Sequence, residues 1–368
     1  MPQTLKENIS HLRYLIVLTI PVGVWMALSG NGVICYLIPF MNFIGIPLLD
    51  FFLPESKENV PATAEERIKS NRLFDWILYI NVPCQFFLLF YMLTVVTSGE
   101  YLWWESVGKV WSMGICSAVL GINTAHELGH RQNKRDQWLA KLLLLTCMYS
   151  HFFIEHNRGH HKYVATPKDP ATARRNEPVF LFYFRSIFLG YRSAWQISNN
   201  LCIKQNRKIF SFHNEMIRLH VLQLIILLIV FLLFNWQGVA LFLIQSVIGI
   251  LVLETINYVE HYGLFRNQLP DGTFEKIKPH HSWNSDHILG RVMLLELTRH
   301  SDHHYKSTRK YQLLRHFDGS PQLPLGYPGS MVLAWIPPLW FYIMNKRIDL
   351  MLLHQNMHAE SITFDEEE

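Results

Sequence analysis

The sequence predicts an all-α polytopic membrane protein, with six transmembrane helices and a cytoplasmic helical cap that holds a histidine-rich metal site. Three observations lead there. Half of the 368 residues are hydrophobic and only 17% are charged, against roughly 25% charged in an average soluble domain. Six apolar runs are long enough to cross a bilayer, which takes about 17–25 residues of helix. Four tight groups of histidines, drawn from 19 in the chain, lie beside or between those runs.

The runs are 12–28, 33–53, 74–97, 106–125, 219–234 and 238–258. The first is closed by LSGNG, the third by TSGEY and the fifth by NWQG, compact turns that make each pair of neighbours an antiparallel hairpin. Lys and Arg are retained on the cytoplasmic side. Those three turns contain none, and only Lys109 sits near them, whereas the opposite segments carry Lys57, Arg67, Lys69, Arg72, Arg131, Lys134 and Arg135. Both termini and the metal-binding segments 126–217 and 259–330 are therefore expected in the cytoplasm, within one domain covering 1–368. All four histidine groups then share one compartment.

Two further apolar stretches do not fit as spans. Segment 138–155 includes Lys141, His151 and Glu155 and reads as a helix buried in the protein or lying at the interface. Segment 331–344 is broken by Pro337 and Pro338 and reads as lying against the membrane. The acidic tail 359–368 reads as a solvated, frayed terminus. The amino-terminal MPQTLKENISHLRY lacks the pattern of a cleaved signal peptide, so the first run is expected to remain as an anchor. Cys35, Cys84, Cys116, Cys147 and Cys202 are scattered singly, which excludes a C-x-x-C site and favours small buried hydrophobes. The net charge of +4 includes no basic block dense enough for nucleic acid.

Neutral imidazole is the commonest protein ligand for a transition metal. HELGH places His126 and His130 one helical turn apart on one face. The same H-E-x-x-H pattern is the zinc signature of metalloproteases, with the glutamate as general base, so an intramembrane zinc metalloprotease is a rival reading. A zinc hydrolase, however, needs only three protein ligands. EHNRGHH adds His156, His160 and His161, RHSDHH adds His300, His303 and His304, and EHYG adds His261. Adjacent residues on a helix diverge by about 100°, so His160 with His161, and His303 with His304, suit two neighbouring ions better than one. Imidazole suits iron, zinc, copper and nickel alike. A pair of ions at a membrane surface points to oxygen activation on a greasy substrate and hence to iron, with zinc left open.

Other histidines carry less weight. His11, His151, His213, His220, His316, His354 and His358 read as surface or satisfied core residues, and His261, isolated in sequence, reads equally well either way on spacing alone. His280, His281 and His287 form a looser loop cluster. Glu127, Glu155, Asp169, Glu260, Asp286 and Asp302 stand beside candidate ligands and could orient their ring N–H groups. Ordinary ion pairs with Arg131, Arg158 or Arg299 are the plain alternative. With no dinucleotide fingerprint and no P-loop, no bound flavin or nicotinamide is expected, and electrons would come from another protein docking on the cytoplasmic face.

NTAHELGH, FFIEHNRGHHKYVATPKDPAT, NYVEHYGL, KPHHSWNSDH and LTRHSDHHYKSTRKYQ together resemble the integral-membrane alkane 1-monooxygenases, the bacterial alkane omega-hydroxylases. The likeness runs from about Asn8 to Pro328. More distant relatives are the xylene monooxygenase hydroxylase subunit and the membrane fatty-acid desaturases. The resemblance implies a six-helix enzyme of the bacterial inner membrane. Its non-haem di-iron centre would hydroxylate the terminal methyl of a medium- or long-chain n-alkane with O2, using electrons from NAD(P)H through rubredoxin reductase and rubredoxin. Carried over by position, the ligands to two iron ions would be His126, His130, His156, His160, His161, His261, His300, His303 and His304. Thr298 stands where glutamine is frequent, which puts no ligand in doubt. The alkane would enter from membrane lipid, with chain length set by side chains around Phe40 to Phe52 or Phe86 to Tyr91. A xylene-type methyl hydroxylase or a membrane desaturase is the alternative within the same resemblance.

Overall fold

A computed structural model describes the backbone of residues 12–365 and side chains through 353. Among these residues the chain is helical, with isolated β-bridges and no strands. Its principal helical elements are α1 (Thr19–Ser29), α2 (Gly32–Phe52), α3 (Leu73–Thr97), α4 (Trp103–Cys116), α5 (Asn123–Gly129), α6 (Val179–Lys204), α7 (Glu215–His261) and α8 (His300–Tyr305). Three helical runs are long and apolar enough to cross a membrane, namely α2, Ala62–Thr97 and α7, with Arg13–Ser29 a shorter apolar one. A π-helical segment, Ser117–Ile122, joins α4 to α5.

The 47 residues of α7 would measure about 70 Å if straight. Its two ends nevertheless meet the same short segment. Glu215 pairs with Arg158 at 3.0 Å, while the His261 ring lies 4.8 Å from that of His160. The helix must therefore double back, and it breaks where Asn235 takes φ 54° and ψ −163°.

The other two turns close at the same end as this break. Lys109 is fully buried there and donates to the carbonyls of Leu28 and Gly30, both at 2.6 Å, with its ammonium 3.9 Å above the Tyr101 ring. It satisfies the orphan carbonyls at the end of α1. Phe234, beside the α7 break, packs 5.6 Å from Phe90 of α3. The histidine groups gather at the opposite ends of these helices.

Between the apolar helices runs a polar tie. Gln85 of α3 donates to Ser117 at 2.8 Å, Ser117 to Gln245 of α7 at 2.7 Å, and Gln245 to the Thr146 carbonyl at 2.8 Å. Small residues let α4 and α7 cross closely. A Cβ on Gly249 would lie 3.1 Å from the Gly114 carbonyl, the kind of approach on which helices rely where lipid removes the hydrophobic drive.

Two sequence expectations need revision. Segment 138–155 is not one helix. Lys134–Leu145 ends at a turn in which Met148 adopts φ 53°, and Phe152–Glu155 restarts inside the protein. Segment 331–344 is broken at its prolines as the sequence indicates, dividing between Tyr327–Ala334 and a helix that begins at Pro337. That helix continues to Asp365 and takes in most of the segment read as a frayed tail, while 366–368 and residues 1–11, which precede the expected anchor 12–28, lie outside the described residues. Within 131–217, α6 is amphipathic. It exposes Phe180, Phe184 and Phe188, while Arg185 and Arg192 line a cleft on another side.

Replacing Gly249 with Leu should force α4 and α7 apart at a cost of about 1–3 kcal/mol, seen as a lower Tm of the detergent-solubilised protein. An unchanged Tm would contradict this crossing.

Candidate metal centre

Local helix geometry decides where each histidine goes. In α5 and its cap, His126 and His130 stand one turn apart. Residues His156–His160 form a π turn, a feature frequent at functional sites. Because π geometry brings i and i+5 together, His156 meets His161, their Nε2 atoms 3.0 Å apart, while His160 turns elsewhere. In α8, His300 and His304 share a face and His303 looks the other way. His261 ends α7.

The nine rings form two groups. His126, His130, His156, His161 and His303 make one, and His160, His261, His300 and His304 the other. Each adjacent pair, His160 with His161 and His303 with His304, is divided between them. Within the first group the Nε2 atoms of His130 and His156 are 3.1 Å apart and those of His161 and His303 are 3.0 Å apart. Within the second, His160 to His304 is 3.2 Å, His261 to His300 is 3.1 Å and His300 to His304 is 2.9 Å. Ligand atoms at about 2.1 Å from a metal lie about 3.0 Å apart at right angles and about 3.4 Å apart in a tetrahedron. The spacing therefore fits a centre with more than four positions. Five imidazoles in one group also exceed what a structural zinc takes, and the all-nitrogen donor set fits iron.

Burial pushes the imidazoles of His126, His156, His161, His261, His300, His303 and His304 well below the usual histidine range, and that of His130 down to about 3. They are neutral at physiological pH and available as ligands. His160 differs. Burial lowers it, but the Asp169 carboxylate at 3.0 Å, with Glu155 and Glu254 nearby, raises it overall. With Nδ1–H donating to Asp169, His160 presents Nε2 to its group, the tautomer-fixing arrangement metal sites use.

Of the carboxylates singled out in the sequence, Asp169 and Glu260 face candidate ligands. Glu260 Oε1 lies 3.2 Å from His300 Nδ1. Asp169 is itself held by the Thr172 hydroxyl at 2.6 Å. The others have different partners. Glu127 accepts from Arg131 Nε at 3.1 Å and Nη2 at 3.0 Å, and from the Tyr311 amide. This pairing withdraws the base that a HELGH protease would need. Asp302 holds Arg309 and Arg315, Asp286 holds His316 at 3.0 Å, and His281 lies by Glu275 and the Lys278 amide. Burial and the nearby Asp169 raise Glu155, which lines a small chamber with His156 and His160.

An apolar cavity of about 20 Å³ touches both groups. Ala118, Phe152, Leu253, Ile256 and Leu297 wall it, with His126, His156 and His300 at its polar side. Nearby, an apolar groove of about 940 Å³ runs between α6 and the second half of α7, lined by Phe180, Phe184, Phe188, Ile248 and Val252 and closed by Phe43, Trp111 and Trp335. Phe43 falls within the first stretch expected to set chain length, whereas 86–91 does not line the groove. Sequence reading missed Glu254, Tyr149 and Asn257, which adjoin the centre. An ionisable residue inside the apolar run 238–258 was the available signal.

The fatty acid desaturase family model matches residues 102–328, the stretch that carries all nine histidines. The chain is 38% identical to alkane 1-monooxygenase of Pseudomonas putida over 328 residues, covering 89% of this chain and 81% of that protein. It is 36% identical to alkane 1-monooxygenase 1 of Alcanivorax borkumensis with the same coverage. Similarity extends, at 26% identity over 83% of this chain and 80% of the relative, to a xylene/toluene monooxygenase hydroxylase component of Pseudomonas putida. The chain belongs to the fatty acid desaturase family and, within it, to the alkane 1-monooxygenases.

Replacing Asp169 with Asn should weaken metal retention about 10–100-fold, measured by chelator competition on the purified protein. Retention equal to wild type would contradict the role of Asp169 in orienting His160.

Proposed function

We propose that the chain is a membrane-embedded monooxygenase that converts the terminal methyl of an n-alkane to a primary alcohol. The observation that carries this reading is an apolar cavity flanked by two groups of neutral imidazoles. His126, His130, His156, His161 and His303 would hold one iron ion, and His160, His261, His300 and His304 the other. Bound there, the two irons supply activation of O2.

The chain's own residues do the rest. Leu253, Ile256, Phe152 and Leu297 exclude water and seat a methyl group beside both histidine groups. The larger groove beside the exposed aromatic face of α6 is the proposed route from lipid. Moving an alkane from lipid to an apolar wall changes its free energy little, so the shape of the route selects the reacting carbon.

The proposed topology has six spans, with the long α7 run supplying two of them, in the bacterial inner membrane. Both termini and the histidine groups lie in the cytoplasm. The doubling back of α7 and the lack of bases in the three turns support it.

Rubredoxin, reduced from NAD(P)H by its reductase, is the proposed electron donor. A solvent-open cleft of about 430 Å³ reaches His130 and is bordered by Arg131, Lys306, Arg309 and Lys310. Arg131 and Lys310 already pair with Asp75, and Arg309 with Asp302. The exposed Lys306, with Lys134 and Arg135 beyond, leaves free positive charge for an acidic partner.

Purified protein given octane or hexadecane, rubredoxin, its reductase, NAD(P)H and O2 should form the 1-alkanol. An alkene product, or turnover without O2, would contradict the reading. His303→Ala should reduce alcohol formation to background while membrane insertion persists, and retained activity would count against its role as a ligand. Turnover should fall as salt rises and fall further in Lys306→Glu. Salt-independent rates would remove the docking proposal.

A further inference from the structure

Hydroxylation needs protons as well as electrons. For each alkane, RH + O2 + 2 e⁻ + 2 H⁺ gives ROH + H2O. One oxygen atom enters the C–H bond, and the other leaves as water after taking both protons and the two electrons delivered by the donor protein. The apolar cavity has one carboxyl in its lining, Glu260, and that group is engaged at His300 Nδ1.

A second chamber lies against the histidine groups, separate from the apolar cavity. Its volume of about 20 Å³ is room for about one water. Two buried carboxyls, Glu155 and Glu254, face it. Neither forms an ion pair with Lys or Arg among the described residues, and Glu155 Oε1 and Glu254 Oε2 have no hydrogen-bond partner. Burying two such atoms without a partner is costly, and a bridging water relieves both. Tyr149 donates its hydroxyl hydrogen to Glu254 Oε1 at 2.8 Å. The Glu155 carboxyl fills the space left by Gly159, where a Cβ would lie 2.6 Å from Oε1.

The chamber has two neighbours. On one side Phe152, His156 and Asn257 are shared with the apolar cavity. On the other, Pro170 is shared with a cleft of about 400 Å³ that carries the exposed Arg192. Ser193 of that cleft interacts with the Glu155 carboxyl. The chamber thus stands between solvent and the place where oxygen would be reduced, and it shares His151 with the groove proposed for the alkane.

We propose that this chamber holds one water and that Glu254, positioned by Tyr149, carries protons from the Ser193 cleft to the metal centre during oxygen reduction. Glu155 serves as a fixed acceptor that holds the water. Glu254 lies seven positions before His261 in the sequence and has no hydrogen bond to a candidate ligand. Its replacement therefore interrupts proton supply without removing a metal-binding side chain. The proposal rests on the hydroxylase reading, and its test includes a measurement that needs no metal.

The infrared difference between metal-free wild type and Glu254→Gln should contain a carboxylic acid carbonyl band that shifts in D2O, the bands of Glu155 and Glu260 being common to both proteins. In metal-loaded protein, Glu254→Gln should keep wild-type iron content while alcohol formation falls by about 10²-fold or more. Tyr149→Phe, which keeps the ring, should slow turnover less and enlarge the solvent isotope effect, a readout a purely structural role would not move. The proposal is overturned if that difference band is missing, or if both variants hydroxylate at the wild-type rate with the wild-type isotope effect. Wild-type protein that shows the band but makes no alcohol would refute the hydroxylase reading and, with it, the proton role, while leaving the chamber's carboxylic acid in place.

Discussion

Nine imidazoles in two groups, eight of them with ring nitrogens that meet at 2.9–3.2 Å, dictate what surrounds them. All but His160 are held uncharged by burial, and a neutral ring has a single N–H, so at least one of any two facing nitrogens presents a lone pair. A shared cation in each group would satisfy these lone pairs together, and the surrounding scaffold holds the rings in place. The clamps lie outside the groups. Arg299, next to His300, donates to the carbonyls of Leu314 at 2.6 Å and Glu58 at 2.7 Å. Arg131, next to His130, reaches Asp75 at 2.7 Å, and Asp302, between ligand histidines, holds Arg309 and Arg315. The charged residues beside the histidines mostly fasten the histidine-bearing helices to neighbouring loops, whereas Asp169 and Glu260 meet ring nitrogens directly.

A second constraint follows from the first. Histidines that begin near residue 126 and end near 304 can converge only if each long apolar helix that leaves the centre also returns to it. The break at Asn235 does this for α7, and buried Lys109 ties the turn after α1 to α4. Polar side chains between helices, such as the Gln85–Ser117–Gln245 chain, fix their register where apolar contacts alone would let them slide.

Much of the centre was legible in the sequence because its signals are local. The i, i+4 spacing of His126 and His130 and the doubled His160–His161 and His303–His304 pairs are read within one or two helical turns, and the structure divides each doubled pair between two groups. Partners set by tertiary contact were not legible. Asp302 and Asp286 read like ring-orienting groups, yet each faces a residue brought in from further along the chain. The π turn at His156–His160 reassigns which histidines share a face, and no residue type announces it. The amphipathic α6 was hidden inside a segment read as wholly cytoplasmic, and Glu254 inside an apolar run. The division of segment 138–155 at Met148 had no proline or glycine to mark it.

The central claim is that these two groups of imidazoles are one binuclear iron centre. Metal analysis of purified, active protein tests it most directly. The account predicts two iron ions per chain, and a single zinc with no iron in active protein would contradict it.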